Sequence, residues 1–578
     1  MKIKQIEIHN FRSIKSARFK LNDYSLLIGE NNAGKSNVFR ALRIFYEDNL
    51  KYDEKTDCPK FETDDNESWI EIEYVTNADE QETLKDEYKD TNGILKVRKI
   101  LKTQDAKYKP LIKSNQSNIF AYENGKLSTN YFYGAKNISQ SKLGKVIFIP
   151  EISKVDDNLK MSGPSPLREM INFVVKKVIT KSDSFNKLNE SFEVFNNEFK
   201  SEAKDDFSID ELEKDINKEV ESWNINFGLN INPIKPTDIV KNLVSHYVQD
   251  GNLDNKTVSI DSFGQGLQRH LIYTLLKLST KYADNSSNDS KKEFNPDFTL
   301  ILFEEPEAFL HPSQQEKINI NLQILSKEAN QQILITSHSP IFVSKNIASL
   351  SSLIKVIREN SSKLFQIEKE KIELLFEDNN SLFEHFKSLL DKPEIEESLK
   401  AKIKNYSLAN EDDDTELKLE QEKFKYSLWL DSERTSLFFA KKVIICEGAS
   451  EKVFIDYLLN NEWLELKNQN IYILDSLGKF NIHRYMNLFK YLGINHSVLM
   501  DNDENETQEI VNSFIKSNKN EYTNKIELFD KDLEAFLGID TPKRKDLKPL
   551  NIMYQYNKKN ITQDKIEELK GKIINLIE

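Results

Sequence analysis

Residues able to do chemistry gather first at Gly29 to Ser36, which reads GENNAGKS and matches G-x-x-x-x-G-K-S at every fixed position. Such a loop turns backbone N–H groups inward around the phosphates of a nucleotide triphosphate, and the following helix adds positive potential at its N-terminus. The loop contacts are expected from Asn31, Gly34, Lys35, Ser36 and Asn37, with Lys35 reaching the outer phosphates and the Ser36 hydroxyl available to a divalent metal. Far downstream, Leu300 to Phe303 leads into Glu304, Glu305, Pro306 and Glu307. An apolar strand ending in two carboxylates suits Glu304 to the metal and Glu305 to polarising the attacking water. A further acidic set follows. Val443 to Cys446 stops at Glu447 and Gly448 with Glu451 in the next turn, and Ser497 to Met500 stops at Asp501, Asn502 and Asp503. Alternation along an extended segment points Asp501 and Asp503 the same way. Glu447, Glu451, Asp501 and Asp503 therefore make a hard-oxygen set suited to Mg²⁺ or Mn²⁺, which could serve phosphodiester hydrolysis.

These residues need strands that end beside one another. Ile3 to Ile8, Ala17 to Leu21 and the run into Gly29 read as strands, and Asn37 to Phe45 restarts in helical spacing. Trp69 to Val75 and Ile94 to Leu101 suggest an antiparallel layer added to the nucleotide-binding core, and Val146 to Ile149 another buried strand. The fold class expected is α/β: a P-loop ATPase interrupted by a helical insert, then a smaller C-terminal α/β domain. Phe185, Leu188, Phe192, Phe195 and Phe199 form a heptad-like seam, and Ile209, Leu212, Ile216, Val220 and Trp223 a second apolar face. A helical hairpin follows from this spacing; its seam could close an internal core or join two copies. The expected organisation is an ATPase over 1–152, the insert over 153–250, the rest of the ATPase over 251–360, a helical linker over 361–430 and the C-terminal domain over 431–578.

Composition excludes several classes. The 578 residues carry 38% hydrophobic and 30% charged side chains and a net charge of −13, which argues against a generally basic nucleic-acid wrapper while leaving room for a local basic patch. With only Cys58 and Cys446, neither a disulfide framework nor a four-ligand zinc site fits within one chain. No uninterrupted apolar run approaches membrane-spanning length and the N-terminus lacks a signal-peptide core, so a cytoplasmic protein without a membrane partner is expected.

Ser262, Phe263, Gly264, Gln265 and Gly266 upstream of the acidic strand, and His338 in TSHSP after the strand Ile333 to Ile335, resemble in order the signature and histidine switch of ABC and SMC ATPases. The resemblance implies an ATP-bound dimer in which Ser262, Gly264 and Gly266 of one chain complete the phosphate site of the other and His338 senses the γ-phosphate. It implies also that Arg12, in an NFRS turn, contacts nucleotide. His311, in LHP, could merely brace its loop. The match departs from the family at Glu304, commonly Asp, and in FGQGLQR where LSGGQ is commoner; no glutamine loop is placed.

EGASE followed by DND resembles the Toprim domain, and nearly the whole chain resembles the OLD family of ATP-regulated nucleases: an ABC-type ATPase with a helical dimerisation insert, then a C-terminal Toprim. That resemblance adds Gly478, the acidic pair Asp532 and Glu534 as further metal-site residues, and a downstream lysine countering charge on the scissile phosphate. Lys548 is the choice, with Lys543 and Lys545 as competitors. It implies an ATP-regulated, metal-dependent DNA endonuclease of bacterial anti-phage defence, self-associating, with ATP and Mg²⁺ or Mn²⁺ as cofactors. A retron reverse transcriptase with its msDNA, or a helicase-like protein, is the implied partner. Primases and topoisomerases of the Toprim class fit less well, for want of a zinc element and of a DNA-gating domain. A non-cleaving, ATP-driven DNA clamp or signalling ATPase is the alternative.

Overall fold

A computed structural model describes residues 1–578 except 49, 152–165, 180–181, 203–207, 224, 230–243, 282–293, 344–346, 407, 409–414, 431–433 and 503–504. Packing divides the chain into two compact units, Met1–Glu151 with Lys292–Glu307 and Pro312–Glu578, and Ile152–Lys291 with Ala308–His311. No helix among the described residues is long and apolar enough to cross a membrane.

In the first unit, β1 (Lys2–Phe11), β2 (Ile14–Lys20) and β3 (Tyr24–Gly29) open the chain. β4 (Ser68–Val75), β5 (Ile94–Lys102), β6 (Ile119–Glu123), β7 (Lys126–Tyr131) and β8 (Lys145–Ile149) follow the helix Lys35–Phe45. The second unit holds the short pair β9 (Val248–Asp250) and β10 (Lys256–Val258). β11 (Thr299–Glu304), β12 (Gln331–Ser337), β13 (Leu353–Arg358) and β14 (Ser362–Gln366) complete a twelve-stranded sheet of order β7-β6-β5-β4-β1-β2-β14-β13-β3-β12-β11-β8. From β13 to β8 neighbouring strands run parallel. From β1 to β7 the neighbours are antiparallel. The sequence explains the division. β12 is buried at all seven positions between two strands, as a central parallel strand covered on both faces must be. β1 instead alternates, sending Ile6 and Ile8 into a core with Ile70, Ile72, Phe39 and Leu42.

Residues 362–366, expected to open the linker, instead form β14. A hairpin returns from β13, and Ser362 is tied by its N–H to the Ser13 carbonyl at 2.6 Å and by its hydroxyl to the Ala33 carbonyl at 2.6 Å. The linker proper contains the helices Ile372–Leu390, Glu397–Asn405 and Thr415–Trp429. Leu375, Phe376, Leu382 and Phe386 of the first are buried. Glu422 on the third accepts from Arg484 Nη2 at 3.0 Å, both side chains essentially without solvent, so the linker is clamped onto the C-terminal domain. That domain is a four-stranded parallel sheet of order β16 (Ile471–Asp475), β15 (Lys442–Cys446), β17 (His496–Asp501) and β18 (Thr523–Phe529).

In the second unit the helix Asp183–Ser201 is capped by Ser182 and packs on the helix Ile209–Val220, capped by Ser208. Phe195 and Phe199 stack at 5.1 Å between centroids yet remain 49% and 42% exposed, so this pair of helices leaves part of the seam uncovered. The helix Gln265–Lys281 packs against the helix Pro166–Ile179. Packing therefore groups residues 251–281, expected with the second part of the ATPase, with the insert.

Candidate functional site

The residues of the first unit expected to bind nucleotide converge where parallel strands end. Gly29 and Gly34 hold positive φ values of 156° and 115°, and a Cβ on Gly29 would strike the Val356 carbonyl oxygen, so the loop needs both glycines. Lys35 is buried; its ammonium donates to the carbonyls of Gly29 at 2.9 Å and Glu30 at 3.0 Å and lies 2.9 Å from His338 Nε2. Burial lowers its pKa to about 8, against the pull of Glu305 and Glu307. Ser36 hydrogen-bonds Glu304, whose carboxyl is raised chiefly by burial. The two residues assigned to the metal are thus in contact. Glu305, at φ 42°, lies 3.3 Å from His338 Nε2. Burial, and then Lys35, hold the His338 pKa below the usual value, favouring the neutral ring.

Glu307 was not singled out by sequence. It is buried and accepts from the His338 N–H at 2.6 Å and the Ser337 hydroxyl at 2.8 Å, so it holds the turn after β12. The acid-acid-Pro-acid run carried that signal. Arg12 takes φ 53° and donates Nε to Asp57 at 2.8 Å and Nη1 to Asn37 at 3.2 Å. Asn31 is exposed on the loop. Ser262, Gly264, Gly266 and His311 lie in the second unit, where the Ser262 hydroxyl donates to the Ser259 carbonyl at 2.6 Å.

The second cluster is built at the strand ends of the C-terminal domain. Gly448 caps the helix Ala449–Asn461, and its N–H donates to Glu451 at 3.1 Å, which puts that carboxylate in the first turn beside Glu447. The turn after β16 wraps beneath: the N–H groups of Ser476 and Gly478 donate to the carbonyls of Cys446 at 3.0 Å and Glu447 at 2.8 Å. This delivers Lys479, which no motif in the sequence marks. It is 2% exposed, donates to the Asp501 carbonyl at 2.8 Å and lies 3.4 Å from Glu447 Oε2. Asp503 lies outside the described residues.

From the far side, Lys548 approaches Glu534 at 3.2 Å and Asp532 at 3.7 Å. Lys543 is exposed and the side chain of Lys545 is not among those described. Burial lowers the Lys548 pKa, but Glu534, Asp532 and Asp501 outweigh it and raise it overall. Asp532 also caps the helix Leu533–Leu537 through the Ala535 N–H at 2.8 Å.

Among the described residues no three acidic, His or Cys side chains are grouped closely enough to ligate one ion. The donor chemistry nevertheless fits a hard cation. Glu451 is 4% exposed, and burial, then the charges of Glu447 and Glu534, push its pKa up to about 7. Glu534 keeps a buried Oε1 with no hydrogen-bond partner among the described residues. Carboxylates crowded in this way call for more positive charge than two lysines bring.

Two family models match the chain: AAA ATPase domain over residues 1–343, and Overcoming lysogenization defect protein-like, TOPRIM domain over residues 438–503. The Old nuclease of Escherichia phage P2 is 22% identical over 66% of this chain, a match spanning 63% of that protein's length. Endonuclease GajA of Bacillus cereus strain VD045 is 22% identical over 99% of this chain and 82% of its own. The SMC head domain from Thermotoga maritima aligns with 64% of this chain and 100% of its own at 13% identity and a TM-score of 0.28.

Proposed function

Because the chain belongs to the OLD family of nucleases, in which an AAA ATPase domain precedes a Toprim domain, we propose that it is an ATP-regulated, divalent-metal-dependent DNA endonuclease of anti-phage defence. The observation that supports the reading is that Glu447 and Glu451 follow β15 and Asp501 ends β17, with Lys479 on Glu447 and on the Asp501 carbonyl and Lys548 on Glu534. When bound, a divalent cation, Mg²⁺ or Mn²⁺, supplies charge stabilisation and water activation for phosphodiester cleavage. Glu447 and Asp501 are the principal ligands in this reading, with Glu451 and Asp503 beside them and Asp532 and Glu534 completing the acidic wall. Lys548 faces the incoming phosphate and counters the charge that builds on it. Lys479 orients the two strand ends.

In the ATPase, Lys35 and the loop N–H groups bind the phosphates, Ser36 and Glu304 take the metal, Glu305 orients water and His338 reports the γ-phosphate. Ser262, Gly264 and Gly266 act on the nucleotide of a second copy, which the exposed phenylalanines of the insert help to join. A retron reverse transcriptase with its msDNA, or a helicase-like protein, is the partner this reading favours. The test is cleavage of supercoiled plasmid with Mg²⁺ or Mn²⁺, with and without ATP, comparing wild type with Glu447→Ala and Lys35→Ala. Cutting abolished by Glu447→Ala supports the nuclease. If wild type cuts under no condition, even with neighbouring gene products and nucleic acid added, while ATP hydrolysis persists, the clamp is the better reading.

A further inference from the structure

The first unit buries four lysines, Lys35, Lys99, Lys355 and Lys479, among the described residues. Three have acceptors: carbonyls for Lys35, Glu47 at 3.0 Å for Lys99, and the Asp501 carbonyl with Glu447 for Lys479. Lys355 is 5% exposed and has no hydrogen-bond or ion-pair partner among the described residues. A lysine so placed is costly unless something else supplies the acceptor.

Its position shows where that acceptor would sit. In β13 the residues Ile354 and Val356 face the main core, so Lys355 projects from the opposite sheet face. There it lines a cavity of about 330 Å³, walled by residues 29–33 of the phosphate loop, 355–359 at the end of β13, 438–441 before β15 and 493–495 before β17. None of Lys35, Ser36, Glu304, Glu305 or His338 lines it, so nucleotide held by those groups leaves Lys355 unserved.

The charge in the walls has one sign in excess. Lys355, Arg358 and Lys441 face Glu30 and Glu359, but Glu359 is engaged by Lys363 at 2.8 Å. Arg358 is anchored by donating to the Asn32 carbonyl at 3.2 Å and to its side-chain oxygen at 3.1 Å. The volume matches small-ligand sites. We propose that this cavity is a second anion site, in which Lys355 binds the phosphate group of a small molecule, free phosphate or a nucleoside monophosphate. Burial supports this by bringing the Lys355 pKa down to about 7, with Glu30 opposing, since a bound anion would restore the ammonium. A ligand there touches both the outside of the phosphate loop and the entry to the Toprim strands, so its occupancy would be felt by both chemistries.

The test uses the full chain carrying Lys35→Ala, which disables the phosphate loop, with no divalent metal. An amine-acylating reagent is applied and modification of Lys355 is followed by peptide mass spectrometry in phosphate, AMP or chloride at matched ionic strength. Phosphate is expected to slow labelling of Lys355 about fivefold or more relative to chloride, the protection of a site near saturation. Protection by AMP at tenfold lower concentration assigns a nucleotide, and equal protection assigns free phosphate. Thermal melting supplies a second readout: phosphate should raise Tm in Lys35→Ala and lose that effect when Lys355→Met is added. Equal labelling in phosphate, AMP and chloride overturns the proposal, as does a Tm rise that survives Lys355→Met. If the double variant does not fold, labelling of the unmutated lysine decides.

Discussion

The phosphate loop and the Toprim strand ends are built alike, but their lysines have different partners. Each lies at the carboxyl ends of parallel strands, at a strand-to-helix turn that contains glycine, with a buried lysine beneath it. In the ATPase that lysine rests on two carbonyls and a neutral histidine, and the nearby carboxylates belong to the next strand end. In the Toprim the lysines lean directly on carboxylates, and the neighbouring Glu451 is so buried that it resists ionisation. In the first site the lysine is held by neutral groups; in the second the lysines are paired with carboxylates. One architecture thus sets a buried lysine against neutral acceptors at one strand end and against carboxylates at another.

The comparison breaks most readily at its carboxylates. Glu447→Gln removes a strand-end ligand, and DNA cleavage is expected to fall about a thousandfold or more with ATP hydrolysis unchanged. Glu305→Gln is the counterpart and should lower ATP hydrolysis by roughly a hundredfold while ATP still binds. Filter binding with labelled ATP separates the two effects. A drop in both activities from either substitution would show that the sites are not chemically separate. Next in size is Lys479→Met, for which cleavage is expected to fall about thirtyfold, since the lysine joins Glu447 to the main chain of Asp501. Steady-state cleavage over a range of metal concentration checks it. A loss under about threefold would reduce Lys479 to a core residue that happens to be charged.

The same two regions show what a sequence can reveal. Motif residues at strand ends were legible because the apolar runs before Gly29, Glu304, Glu447 and Asp501 are continuous, and continuous runs that stop at acid or glycine are strands that end at a surface. What escaped were residues whose role depends on burial from another part of the chain. Lys479 follows an ordinary Ser-Leu-Gly turn and becomes a site residue only because that turn folds under β15 and β17. Lys355 sits in LIKVIR, where alternation alone would send it to solvent, but the opposite sheet face is covered by the segment before β15. Glu422 lies in a charged stretch expected as a helical linker, and only its long-range partner Arg484 makes it core. Spacing records local geometry, whereas these placements are set by contacts made tens to hundreds of residues away.

A last contrast concerns acid. The Toprim buries two histidines, His483 and His496, and the ATPase sheet has no buried histidine among the described residues. His483 donates Nε2–H to the Asn379 carbonyl at 2.8 Å, while its Nδ1 is buried with no hydrogen-bond partner among the described residues to receive a second proton. Burial, then Arg484, depress its pKa from 6.5 to about 3. The unfolded chain therefore takes up a proton below its ordinary pKa when the folded one refuses it, and the neutral ring's contribution to stability is lost as pH falls. Going from about pH 7 to about pH 5 should cost about 2 kcal/mol through His483 alone, and His496, whose pKa burial brings to about 4, acts in the same direction. Hydrogen exchange, corrected for intrinsic rates, should then show the helix Ile482–Leu492 opening before β3 and β12 as the solution is acidified, with His483→Gln flattening that dependence. Equal acid sensitivity in the two regions would mean that neither histidine governs where the molecule first opens.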